Sequence, residues 1–375
     1  MRQRGLTHTI SRAAALAASL SLVAGSSVAS AQMTAPTDLT VMPPVPHTYV
    51  PKRTAWGDPD LHGTWPIENI ASLPMNRPAN FGNRYWLTPE EYAQRLERAN
   101  SSTKAYEAED KSGKIGMGHW VESDVSGRRT SLLVDPPSGQ LPPFTPQAQA
   151  LMKAGRSSWT PNTKYNWVTD FDSWDRCVSR GFPASMLPFR YNNGIRVFQS
   201  PGYVSIALEM LGTRVIPIAK AGTDRAHWPQ PVEAWLGSSV GHWEGNTLVI
   251  ETTNIKTGDS ATTNAYARNG SPLNMATLGV PPSNVIPTSN QAKVIERLTP
   301  VGPNNITYEM TYSDPQVFTA PWTARLDWTR DEKYAFYEYA CHEGDVQVRN
   351  YITSSRAGTL QAASAEDRQA EQGRQ

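Results

Sequence analysis

The sequence predicts a mainly β protein: an antiparallel barrel or sandwich, with short helices and long loops packed outside it. From Ile195 onward, apolar and polar residues alternate with a period of two, in short segments that turn residues separate. The chain also contains 30 prolines and 26 glycines, which favour many turns and few long helices. Many short strands with short connections are typical of antiparallel barrels and sandwiches.

The alternation predicts a series of strands, two pairs of which are joined as hairpins. The turn residues Glu244–Asn246 form one such connection, and Val301–Asn304 form the other. The polar segment Ile255–Gln291 interrupts this rhythm, and a loop of that length is typical of a lid or a binding loop. The predicted strands are Ile195–Gln199, Tyr203–Glu209, Arg214–Ile218, Val240–Trp243, Thr247–Thr252, Lys293–Leu298, Asn305–Tyr312, Thr323–Trp328 and Tyr334–Tyr339.

Helix starts precede this β-rich region. Thr88 supplies a capping hydroxyl, Pro89 suits the first turn, and Glu91 stands at the capping-box position. Thr145–Pro146 opens a second, shorter helix. Between the two, the apolar run Ser131–Val134 predicts a buried strand that the following prolines end.

The first 31 residues predict a secretory signal peptide. Arg2, Arg4 and Arg12 form a basic front, an apolar run follows, and small residues stand before Gln32, where we expect cleavage. The run is too short to span a bilayer, so we expect a periplasmic or secreted protein without a membrane span. The predicted organisation is a signal peptide (1–31), an extended arm (32–55), a helix- and loop-rich segment (56–170), a β core (171–352) and a flexible tail (353–375).

Export decides how the two cysteines are interpreted. Cys177 and Cys341 are the only ones in the chain. In an oxidising compartment two lone cysteines usually pair, so we predict a disulfide between them. The alternative is a reactive thiol beside His342. Two cysteines alone do not make a zinc site.

Composition excludes some partners and cofactors. The chain carries 35 basic and 34 acidic residues, and without the three arginines of the predicted signal peptide the balance is 32 to 34, a net charge of −2. A nucleic-acid partner would need a basic face, so none is expected. No phosphate loop, dinucleotide fingerprint or nucleophile elbow occurs, which predicts no cofactor. His242 and Glu244 share a strand face and could form a mononuclear metal site with a distant histidine. Trp243 between them is more simply explained as a core anchor beside the hairpin, and no metal is expected.

Four motifs carry a resemblance to a known family: Asp58–Trp65, Arg129–Pro137, Gly241–Asn254 and Tyr337–Gly344. Together they resemble a family of exported, mostly uncharacterised bacterial proteins, over nearly the whole mature chain. The resemblance implies an exported protein with a lipocalin-like β-barrel core, but it implies no activity. Gly63–Trp65 also resembles the Gly-x-Trp of lipocalin first strands. Members tend to carry a histidine and an acid soon after the glutamate that matches Glu209, whereas this chain has Leu211–Thr213 there.

The candidate site is predicted where the last strand ends. His342 would shuttle a proton with Glu343 or Glu209 as its partner, since imidazole titrates near neutral pH. Cys177 and Cys341 would hold this site together as a disulfide. The predicted substrate-binding residues are Arg176, Arg214, Trp228 and Tyr339, with the arginines steadying an anionic group of the ligand and Trp228 covering it. The alternatives are a hydrogen-bonded histidine beside a disulfide and a structural ion pair between Glu209 and Arg214.

Two functions follow from these residues. The first is an exported, cofactor-independent enzyme that acts on a small aromatic or glycoside-like compound by general acid–base chemistry, as a lyase, isomerase or hydrolase. The alternative is a periplasmic protein that binds a small molecule without catalysis. The number of titratable groups favours the enzyme, because an apolar carrier needs fewer of them. The sequence leaves the oligomeric state open.

Overall fold

Two antiparallel sheets form the framework of this computed structural model. The structure describes residues 35–70, 73–113, 127–154, 157–158, 163–220, 226–256, 271–273 and 285–358. The predicted signal peptide lies outside these ranges, as do most of the predicted loop Ile255–Gln291 and the end of the predicted tail. The mainly β prediction is confirmed at this level. Among the helices in the described ranges, none combines the length and the apolar character that a membrane span requires.

The described strands are β1 Gly63–Thr64, β2 Leu133–Asp135, β3 Ile195–Ser200, β4 Tyr203–Leu208, β5 Thr213–Pro217, β6 Ser238–Glu244, β7 Thr247–Thr253, β8 Lys293–Gly302, β9 Asn305–Ser313 and β10 Trp322–Thr329. The first sheet has the order β1-β3-β4-β5 and the second the order β2-β10-β9-β8-β7-β6. The eight strands predicted between Ile195 and Trp328 are confirmed with shifts of a few residues at their ends. Both predicted hairpins are confirmed, because Glu244 pairs with Thr247 and Gly302 pairs with Asn305.

Single backbone contacts connect the two sheets. Next to β5, Ala219 donates its N–H to the carbonyl of Gly241 in β6 at 2.7 Å. A Cβ at position 241 would lie 2.7 Å from the Cδ1 atom of Ile218, so a larger residue there would have to displace the end of that side chain. On the opposite side, Asp331, two residues after the end of β10, donates its N–H to the carbonyl of Thr64 in β1 at 3.0 Å. Nearer the start of β5, the backbones of β5 and β6 are separated by a cleft. The Arg214 side chain of β5 bridges to β6 there by donating to the Ser239 hydroxyl.

Aromatic and aliphatic side chains from both sheets fill the core between them. Tyr308 stacks on Trp328 with ring centroids 4.8 Å apart, and Tyr312 stacks on Trp322 at 5.2 Å. All four rings are fully buried. Several of the aromatic residues therefore stabilise the sheets rather than line a ligand site.

Two α-helices that precede the β-rich region pack outside the sheets. Helix α1 spans Pro89–Lys111 and α2 spans Pro146–Ala154. The predicted capping box is present, since Glu91 N–H donates to the Thr88 hydroxyl at 3.2 Å and Thr88 N–H donates to the Glu91 carboxylate at 2.9 Å. Short 3₁₀ turns at Glu68–Ile70, Ala79–Phe81, Val168–Asp170 and Ala184–Met186 complete the helical elements before the core.

The predicted strand Tyr334–Tyr339 is wrong. The segment is irregular, helix α3 follows at Cys341–Gly344, and residues 346–358 form helix α4, which includes the first residues of the predicted tail. Tyr334 and Phe336 do alternate toward the protein, and the Phe336 ring lies 4.7 Å from the Arg196 guanidinium. The segment's hydrogen bonds go to the Glu209 side chain instead of a neighbouring strand, so no ladder forms.

Candidate functional site

A cleft of about 600 Å³ lies where β5 and β6 diverge. Apolar side chains dominate one part of its wall, and serine and threonine residues supply the polar part. Among the described residues that line it, Arg214 alone has a titratable side chain. Two residues predicted to bind a ligand, Arg214 and Trp228, are thus brought to one cavity. Its other principal lining residues are Ser179, Leu211, Thr213, Val215, Trp235, Leu236 and Ser239.

The outer wall of the cleft is a loop that β7 holds in place. Asn254, at the end of the Gly241–Asn254 motif, donates its side-chain amide to the carbonyls of Trp228 at 3.2 Å and Val232 at 2.9 Å. Trp228 N–H donates to the Ser238 hydroxyl at 3.1 Å. Gly237 has a positive φ of 70°, and a Cβ there would lie 2.6 Å from Thr253 O. The motif therefore fixes the backbone that presents Trp228.

Arg214 is buried, and both of its terminal guanidinium nitrogens have hydrogen-bond partners. Its guanidinium binds both carboxylate oxygens of Glu296, at 2.8 and 2.5 Å. It also donates to the hydroxyls of Ser239 at 3.0 Å and Thr252 at 3.1 Å. Tyr308 donates its hydroxyl to Glu296 at 2.8 Å, and burial together with this carboxylate raises the pKa of Tyr308. The alternative of a structural ion pair between Glu209 and Arg214 is wrong, because the counter-ion of Arg214 is Glu296 of β8.

Glu209 is also occupied, on the other side of the β4–β5 turn. Its carboxylate accepts hydrogen bonds from Gly194 N–H at 2.8 Å and Tyr337 N–H at 3.0 Å. The Tyr334 hydroxyl donates at 2.7 Å and the Asn192 amide at 3.2 Å. A buried carboxylate with four donors has an evident structural task, which is to hold the segment after β10 against the first sheet.

The cysteine prediction is confirmed. Cys177 and Cys341 form a disulfide with a Cα–Cα distance of 5.6 Å, so neither is a reactive thiol. Such a bond fits an oxidising compartment. His342 and Glu343 follow on the first turn of α3, where both side chains are exposed. Neither residue lines the cleft, and their predicted catalytic roles stay predictions.

The other two predicted binding residues lie beside the disulfide rather than in the cleft. Arg176 donates its Nε–H to the Phe171 carbonyl at 3.1 Å. Tyr339 belongs to a cluster of packed side chains, called here the aromatic cluster, which consists of Trp174, Phe189, Tyr191, Met210, Leu211 and Tyr339. Burial raises the pKa of Tyr339. Leu211 belongs to this cluster and also lines the cleft, so the two are adjacent.

Arg180 is a residue that the sequence reasoning missed. Its side chain is 3% exposed, its guanidinium carbon lies 4.7 Å from the Phe189 ring centroid, and its Nη1 donates to the Leu187 carbonyl at 3.2 Å. Burial lowers its pKa to about 10, although Tyr191 and Tyr339 act in the opposite direction. An arginine directly before the largely apolar run Gly181–Phe189 was the available sequence signal for a buried cation.

A second cavity, of about 660 Å³, lies on the outer face of the second sheet. None of the predicted site residues lines it. Its charged residues include Arg325, which binds Glu309 at 2.7 Å and donates to the Pro43 carbonyl at 2.8 Å. This cavity lies beneath the N-terminal arm, and its paired charges have a structural explanation.

In the part of the chain that the structure describes, no three His, Cys, Asp or Glu side chains gather in a way that could hold a metal ion. His242 lies 3.3 Å from one oxygen of Glu244, while Arg297 binds the other oxygen at 2.5 Å and lowers the pKa of Glu244. No protein-family model, curated protein or solved structure matches the chain.

Proposed function

We propose that this protein binds a small molecule in the cleft between β5 and β6, as an exported binding protein. The observation that carries the proposal is the composition of the cleft: its one titratable lining residue in the described chain, Arg214, is already neutralised by Glu296. Proton-transfer catalysis needs a titratable group near the reacting atoms, whereas binding needs only a complementary wall.

The lining supports a ligand with a ring. Trp228 and Trp235 offer flat apolar faces, and Leu211, Val215 and Leu236 add aliphatic contact. Small-molecule sites commonly have volumes of roughly 300–1,000 Å³, are mostly apolar and carry a few polar groups, and this cleft fits that description. The hydroxyls of Ser179, Thr213 and Ser239 supply the polar groups.

The enzyme hypothesis has less support. His342 and Glu343 do not line the cleft, and the Glu209 carboxylate already accepts hydrogen bonds from Tyr334 and Tyr337. A lyase, isomerase or hydrolase at this site would therefore need proton-transfer groups other than those predicted. We retain this function as the alternative that mass spectrometry of candidate compounds incubated with the protein would detect.

We further propose that the two sheets form an open, lipocalin-like barrel, in keeping with the resemblance to the exported family. Two backbone contacts between the sheets support this view: Ala219–Gly241 next to β5 and β6, and Asp331–Thr64 between the end of β10 and β1. The cleft would then be the gap in the barrel wall where β5 and β6 separate.

Fluorescence titration with the neutral dye N-phenylnaphthylamine tests the binding function. The dye should bind, and Trp228→Ala should weaken its binding about tenfold, since an aromatic contact contributes on the order of 1–2 kcal/mol. Trp167→Ala is the matched control, because Trp167 is exposed and does not line the cleft. Absence of dye binding, or an equal loss in both variants, would refute the proposal.

A further inference from the structure

Arg180 is a buried cation without a counter-ion among the described residues. Its Nε and Nη2 atoms are inaccessible to solvent and have no hydrogen-bond partner. The one hydrogen bond of its guanidinium goes to a backbone carbonyl, that of Leu187, and no carboxylate forms an ion pair with it in the described ranges. Buried charges are normally paired, so an arginine left in this state needs an explanation.

The groups around Arg180 are suited to an anion but do not supply one. Tyr191 and Tyr339 lie close enough to interact with its charge, and the ring of Phe189 covers one face of the guanidinium. Burial raises the pKa of Tyr191, so its phenol stays neutral and donates a hydrogen bond that the Tyr339 hydroxyl accepts. Asp175 acts on Tyr339, but it accepts the hydroxyl of Ser158 instead of pairing with Arg180.

This site adjoins the cleft. Ser179, the residue before Arg180, lines the cleft, and Leu211 lines it while packing on the aromatic cluster. Leu211 adopts a left-handed φ of 56° in the turn between β4 and β5, which places it at the boundary of the two. The Arg180 guanidinium does not itself line the cleft, so a ligand bound there would reach it past Leu211.

We propose that the ligand of the cleft is a small aromatic acid, and that Arg180 binds its carboxylate. The proposal rests on the proposed binding function and names the ligand class. Arg214, which does line the cleft, already has Glu296 as its counter-ion. Arg180 has two free donors, and a guanidinium binds a carboxylate through two parallel hydrogen bonds. The Tyr191 and Tyr339 hydroxyls would complete the anion's surroundings.

Isothermal titration calorimetry with naphthaleneacetate and its neutral amide, naphthaleneacetamide, tests the proposal on the full protein. The two compounds share a ring system and nearly the same shape, and they differ in charge. We expect the acid to bind at least about tenfold more tightly than the amide, as charge-assisted hydrogen bonds to a buried site contribute on this scale. Arg180→Gln should abolish this preference and leave binding of neutral N-phenylnaphthylamine unchanged.

Arg190→Gln is the matched control, because it removes the same charge from an exposed neighbour and should keep the preference. If Arg180→Gln does not fold, Arg180→Lys, which keeps a cation, should still prefer the acid. The preference of the unaltered protein for acid over amide then tests the proposal without any variant. Equal binding of acid and amide, or no binding of the acid, overturns the proposal. Dye binding that persists in that case leaves the binding function standing, whereas loss of dye binding refutes the function separately.

Discussion

The buried ion pair between Arg214 and Glu296 offers the sharpest test of how the two sheets are held together. Arg214 belongs to β5 of the first sheet and Glu296 to β8 of the second, and their side chains are 2% and 0% exposed. Glu296→Gln keeps the size and one carbonyl acceptor. It removes the negative charge and turns an amide group toward the guanidinium, so Arg214 remains buried and uncompensated.

The expected cost is large. Breaking a buried ion pair by removing one partner typically costs about 3–5 kcal/mol, because the other charge cannot be resolvated. The adjacent residue on β8 provides the control: Arg297 binds Glu244 at 2.5 Å, but these side chains are 36% and 49% exposed. Solvent screens such a pair, so Glu244→Gln should cost less than about 1 kcal/mol.

Urea unfolding monitored by tryptophan fluorescence and by circular dichroism measures both variants against the unaltered protein. The free energy of unfolding should fall by at least about 3 kcal/mol in Glu296→Gln, with an unchanged dependence on urea concentration. The double variant Arg214→Met with Glu296→Leu should recover most of this loss, since it removes both charges together. A Glu296→Gln cost no larger than that of Glu244→Gln would refute the reasoning.

Three further predictions concern other contacts. Reducing the Cys177–Cys341 disulfide, which links residues 164 apart, should lower the free energy of unfolding by about 2–4 kcal/mol, and a thiol assay without reductant should detect no free thiol. Arg84 lowers the pKa of Glu91 from 4.5 to about 2, so Glu91→Gln should destabilise the protein by about 1 kcal/mol at neutral pH. That difference should shrink as the pH falls from 4.5 toward 2, and a constant difference would contradict it. Glu209→Gln should release the segment after β10, seen as faster proteolysis there, while an unchanged cleavage rate would count against the structural role of this carboxylate.

The sequence predicted those features of the fold that depend on local patterns. The strands between Ile195 and Trp328 follow from alternation, α1 follows from its capping box, and the disulfide follows from counting cysteines in an exported chain. Ion-pair partners depend on chain topology instead. Arg214 and Glu296 are separated by 82 positions in the sequence, and no local pattern indicates that β5 and β8 face each other across the core.

Only part of the candidate site could be predicted, because the site also depends on which distant segments the chain topology brings together. Arg214 and Trp228 do meet at one cavity, although the sequence offered no common motif for them. The convergence around His342 assumed that a strand runs up to the disulfide and ends there, because neighbouring side chains within a strand face opposite sides. Since α3 begins at Cys341, successive residues rotate by about 100° around a helix, and His342 and Glu343 both face solvent.

The disulfide nevertheless bears on the ligand site, through different residues. Cys177 precedes Arg180 by three positions and Cys341 follows Tyr339 by two, so the bond joins the two segments that carry the buried cation and one of its phenol neighbours. The Glu209 carboxylate fixes the same C-terminal segment further upstream, through Tyr334 and Tyr337. Two anchors on one irregular segment, where a sheet would have supplied a hydrogen-bonded ladder, position Tyr339 beside Arg180. In the proposed anion site, the C-terminal segment therefore contributes an aromatic wall through Tyr339.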